Sequence, residues 1–70
     1  MSKMEMMIFP SDKGVIKIYI YGFQGYGTWG KVYATLNDIT VSSKGYHRKK
    51  AIVRSLAKIH ESLANKENNN

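Results

Sequence analysis

The sequence predicts a small α+β domain: an antiparallel meander of three to four strands with one C-terminal α-helix packed on one face, in the order β-β-β-β-α. Three observations carry that reading. Apolar residues alternate with a period of two over 15–23, 31–36 and 39–43. Turn-forming clusters separate these runs at Pro10-Ser11-Asp12-Lys13-Gly14 and Asn37-Asp38. From about His47 the period becomes helical.

Lys3 to Phe9 reads as the first strand, with Met4, Met6 and Ile8 on one face and Glu5, Met7 and Phe9 on the other. Val15 to Phe23 is the strongest strand, β-branched and aromatic throughout. Ile16, Ile18 and Ile20 form its apolar side and belong in the core, while Val15, Lys17, Tyr19, Tyr21 and Phe23 project oppositely. Lys31–Leu36 and Ile39–Ser43 form a hairpin, because Asn37 and Asp38 both tolerate the left-handed backbone of a two-residue turn. Val32, Ala34 and Leu36 then share a face with Ile39, Val41 and Ser43. The helix runs from about His47 to Ala64, with Ile52, Leu56, Ile59 and Leu63 at i, i+4, i+7 and i+11, flanked by Val53 and Ala57. The domain is therefore residues 3–64, and Asn65-Lys66-Glu67-Asn68-Asn69-Asn70 is expected to be a disordered tail.

Seventy residues make one domain with a small core, and without cysteine no disulfide supports it. A homodimer is one source of further burial. His47 and His60 stand apart with no carboxylate cluster joining them, so neither a metal nor another cofactor is expected. The absence of cysteine fits a reducing, cytoplasmic setting. The first residues, interrupted by Glu5 and Pro10, read as neither a signal peptide nor a membrane span. The five acids fall at a strand edge, two turns, the outer helix face and the tail, an arrangement that suits no acid–base pair, so an enzyme is not expected.

A net charge of +6 and a pI near 9.7 point to an acidic partner. Lys44-Gly45-Tyr46-His47-Arg48-Lys49-Lys50 carries four of the eleven basic residues and no acid, and it lies where a strand gives way to the helix. A helix start already bears partial positive charge, so stacking cations there makes sense when an anion docks. The bland reading is a solvated lysine face. Arg54 and Lys58 continue the basic side of the helix. The open sheet face would show Lys17, Tyr19, Tyr21, Lys31, Tyr33 and Lys44 among hydroxyl residues, a surface suited to polyanions. The candidate nucleic-acid site is thus Lys17, Tyr19, Tyr21, Lys31, Tyr33, Lys44, His47, Arg48, Lys49, Lys50, Arg54 and Lys58, with DNA preferred over RNA. The alternative is a module for an acidic host protein, such as a small phage-encoded inhibitor, acting through Tyr19, Tyr21, Tyr26, Trp29 and Tyr33. The spacing Gly25-x-Gly27-x-x-Gly30 matches a dinucleotide loop in letters only, because no parallel crossover follows. It reads instead as a flexible loop carrying Tyr26 and Trp29, either tucked over the core edge or offered to a partner.

Strands followed by Lys44-Gly45-Tyr46-x-x-Lys49-Lys50-Ala51 and an amphipathic helix resemble the arm-binding N-terminal domain of phage and transposon tyrosine integrases. Gly45 and Tyr46 match that family's junction pair, and Lys49 and Lys50 its basic pair. The family's Thr or Ser cap is replaced, with Arg48 near its place, and Ala51 falls one residue early. The resemblance implies a sheet face laid in the DNA major groove, backbone contacts near the helix start, and an origin in a phage or mobile element. It implies no recombination, because these residues include nothing like the family's catalytic domain. The junction also resembles the YegP-type small domain and the last half of a double-stranded RNA-binding domain.

Overall fold

The computed structural model describes residues 4–68. The elements are β1 (Met4–Ser11), β2 (Gly14–Gly22), β3 (Gly30–Leu36), β4 (Ile39–Gly45) and α1 (Arg48–Asn68). The strands form one antiparallel sheet in the order β1-β2-β3-β4. The fold is therefore the α+β meander with one C-terminal helix.

Register explains where the core sits. Ile18 stands opposite Met7 and Ala34, and Ile20 opposite Glu5 and Val32, so one face collects the aliphatic side chains. Ile18, Ile20, Val32, Ala34 and Leu36 are buried there beneath Ala51, Ile52 and Ile59 of α1. Burying each of the isoleucine, valine and leucine side chains contributes about 1.5–3 kcal/mol. The isoleucine side is the covered side, with Ile16 at its partly buried margin. α1 lies over β3 and β4 rather than across the whole sheet, so Met7 and Phe9 of β1 are only partly covered.

Several boundaries differ from the periodicity. β1 continues through Pro10 to Ser11, and the turn shrinks to Asp12-Lys13. β1 is an edge strand, where a residue without an N–H costs the ladder nothing. The expected start at Lys3 lies outside the described residues. Phe23 does not continue the open face: Gly22 (φ 83°) and Phe23 (φ 54°) turn left-handed, and Phe23 packs against the core. The helix buries Ala51 and Ser55 beside the Ile52–Ile59 stripe and leaves Val53 and Ala57 exposed, so its inner face is rotated from the one expected. It also runs four residues past Ala64, where a disordered tail was expected; positions 69 and 70 lie outside the described residues.

Candidate nucleic-acid interface

The meander gathers chemistry at one end. The start of β1, the β2–β3 loop, the end of β4 and the start of α1 meet there, while the two tight turns and the C-terminus of α1 share the other end.

The β2–β3 loop is held by short-range bonds. The Phe23 N–H donates to the Trp29 carbonyl at 3.0 Å, closing the loop. Thr28 clasps Gly25: its N–H and hydroxyl donate to the Gly25 carbonyl at 3.1 and 2.7 Å, and its Oγ1 accepts the Gly25 N–H at 3.0 Å. The Phe23 ring lies directly on Gly30, where an added Cβ would stand 2.2 Å from a ring carbon. Phe23 is thus the aromatic tucked over the core edge. Tyr26 at the loop tip is fully exposed, and Trp29 is half-exposed. Tyr46 is also largely exposed, and a cavity of about 490 Å³ separates the loop from the helix start, lined by Phe23, Tyr26, Tyr46, His47 and Arg48 among others.

At the helix start the Ala51 N–H donates to the His47 carbonyl at 3.0 Å, so His47 occupies the cap position. The N–H groups of Arg48, Lys49 and Lys50 precede that first bond and have no carbonyl within the helix to reach. The first turn holds no acid. Glu5 of β1 answers one of its cations, with Arg48 Nε and Nη2 each 3.3 Å from a Glu5 oxygen.

The remaining described ion pairs belong to the opposite end. Lys13 Nζ lies 2.8 Å from Glu67, and Lys66 Nζ lies 2.9 and 3.0 Å from the two Asp38 oxygens. The hydrogen bond and charge of Lys66 hold the Asp38 carboxyl below its ordinary range, and Lys13 does the same for Glu67. Lys13 is raised in return, first by the hydrogen bond to Glu67. Acids are thus spent where the helix ends. Lys31, Lys44, Lys49 and Lys50 near its start have no ion pair among the described residues.

The sequence-derived candidates divide between surfaces. Lys17, Tyr19, Tyr21 and Tyr33 lie on the open sheet face, where Tyr19 stands opposite Tyr33 and Tyr21 opposite Lys31. Tyr21 and Tyr33 are engaged with each other and with lysine. Tyr21 meets Tyr33 edge-on at 5.9 Å and 86°, and Lys31 Nζ sits 4.9 Å above the Tyr33 ring. Lys49, Lys50 and Arg54 surround exposed Val53 on the outer side of α1. Lys58 donates to the Ser42 carbonyl of β4 at 2.5 Å. Lys31, Lys44, His47 and Arg48 lie at the loop end, where the two surfaces approach. Sequence reasoning left Tyr46 out of the site, although the Gly-Tyr junction marked it. It also did not assign Met4, Met6 and Ile8 to the open face, where they stand opposite Tyr21, Tyr19 and Lys17.

Among the described residues no His and carboxylate cluster is placed to hold a metal ion, and no helix is long and apolar enough to cross a membrane. No family model, curated protein or solved structure matches the chain.

Proposed function

We propose that the chain is a small basic nucleic-acid-binding accessory protein, with duplex DNA as its preferred partner. The observation that carries this reading is the company kept at the loop end. Lys31, Lys44 and Arg48 lie at that end, where Arg48 pairs with Glu5 and lines a cavity with exposed Tyr26 and Tyr46, and Lys49 and Lys50 follow on the outer side of α1. Lysines and unpaired helix N–H groups bind phosphate oxygens and set position on a duplex. A tyrosine on a glycine-rich loop brings a flat ring and a hydroxyl to a groove or an unstacked base. The outer face of α1, with Arg54, and the open sheet face, with Lys17, extend the contact along either side. A phage or mobile element and a cytoplasmic setting go with this reading, and binding without catalysis is its mechanism. Reversing two charges in Lys49→Glu/Lys50→Glu should weaken binding to all duplex sequences alike, about tenfold or more, because phosphate contacts carry no sequence information. A folded double variant that binds as the wild type does would overturn the phosphate role.

One observation favours a second reading, an acidic host protein. Tyr21, Trp29, Lys31 and Tyr33 line a shallow, mostly aromatic patch that could serve a protein as well as a base. Capture of a single protein from a nuclease-treated lysate would select that reading, and loss of all bound material would select nucleic acid.

A further inference from the structure

The sheet has two outer edges, and they are treated differently. Along an antiparallel ladder, pairs that exchange hydrogen bonds alternate with pairs that do not. Thr35 and Thr40 stand one step from the two-residue Asn37-Asp38 turn, so theirs is a non-bonded pair, and so by alternation is Tyr33–Ser42. The Ser42 carbonyl therefore points outward, and Lys58 covers it. α1 also packs along β4. That edge is blunted by a helix and a lysine.

β1 has no such cover among the described residues. Pro10 pairs with Val15 and has no N–H to exchange, so its pair is of the non-bonded kind. By alternation so are Ile8–Lys17, Met6–Tyr19 and Met4–Tyr21. The N–H and C=O groups of Met4, Met6 and Ile8 therefore point away from β2, into open space. The side chains of the same three residues stand on the open face at 51%, 51% and 53% exposure, with Val15 beside them at 46%. Between Met4 and Ser11 the only charged residue is Glu5, which Arg48 of the same chain holds.

We infer that β1 pairs edge to edge with β1 of a second copy of this chain, antiparallel about a two-fold axis near Met6, to form one eight-stranded sheet. The strand is complementary to itself. Pairing about Met6 sets Met4 of one copy against Ile8 of the other, so every outward N–H of these three residues meets a carbonyl. The two exposed Met4-Met6-Ile8 rows join into one apolar strip, and the partly covered Met7 gains a neighbour on the helix side. Charge selects the same edge. Two molecules of net charge +6 repel wherever their lysines meet, and β1 presents no uncompensated charge. The pairing ends where Pro10 has no donor. A strand edge offers less than the roughly 800 Å² per partner of a standard interface, so the dimer forms in the micromolar range.

Sedimentation velocity without nucleic acid tests this independently of the DNA reading. Between about 1 and 200 µM the wild type should pass from monomer to dimer. Met6→Pro removes an outward donor that the fold does not use, as Pro10 already does. Met6→Glu places an acid opposite Tyr19 within the fold, on an exposed position, but against the same acid of the second copy at the two-fold axis. Both variants should keep the wild-type circular dichroism and sediment as monomers, with association weakened about tenfold or more. A wild type that stays monomeric throughout would overturn the inference and leave the edge to a strand from another protein. Folded variants that dimerise like the wild type would overturn it equally.

Discussion

Gly30 shows how much of the candidate site depends on one missing methyl group. Its position is buried, and the Phe23 ring rests where a Cβ would go. Gly30→Ala must push that ring away or bend the strand, an overpacking cost of about 1–3 kcal/mol. In a domain of this size a loss of 1 kcal/mol lowers Tm by about 4–8 °C. Calorimetry should show a fall of at least that size, together with faster amide exchange at Phe23, whose N–H closes the loop. An unchanged Tm would mean that the ring is not held there. Phe23 was also the residue that periodicity misplaced. Alternation over 15–23 assigned it to the open face, and period-two patterning carries no signal for a left-handed turn at Gly22 and Phe23. Once the chain turns, the ring is free to fold onto the smallest residue nearby.

The helix shows the same limit at the scale of an element. Its start was legible within a residue, because Gly45 ends a strand and the apolar spacing changes there. Its end was not, because Asn65 to Asn68 offer no apolar stripe. Tertiary ion pairs accompany the extra turn: Lys66 reaches Asp38, 28 residues away, and Glu67 reaches Lys13, 54 residues away. These pairs are exposed, so they should restrain fraying rather than set global stability. The pH dependence has a definite sign. Asp38 and Glu67 have depressed folded pKa values, so their contribution is present above the ordinary carboxylate range and lost as pH falls through the folded values. Lys13 is raised, so its contribution is present below 10.5 and lost as pH rises through its folded value. Exchange-protection measurements on residues 65–68 should therefore show loosening in acid and, at neutral pH, in Lys66→Ala. Equal protection in both conditions and both proteins would contradict this account of the last turn.

The whole molecule is an elongated body of 43 × 18 × 15 Å with unlike ends. Ion-paired charge sits where the helix finishes, and where it begins lie exposed aromatic rings and lysines with no ion pair among the described residues. The fold class and the buried face were legible because Ile18, Ile20, Val32 and Leu36 repeat a simple alternation. The basic helix start was legible as a run of letters. The proximity of Tyr26 to the helix start was not, since only the closed meander brings residues 23–27 beside residues 46–48. The exposed row on β1 went unassigned for a related reason. Apolar residues on both faces of a strand, Met4, Met6 and Ile8 on one and Met7 and Phe9 on the other, do not say which face the helix covers.

The account centres on lysines near the helix start engaging phosphates, and salt dependence tests that most directly. Fluorescence anisotropy of a labelled duplex should give an affinity that falls roughly 10²-fold between about 50 and 200 mM monovalent salt, as neutralising about four phosphates requires. An affinity that stays level across that range would contradict the account.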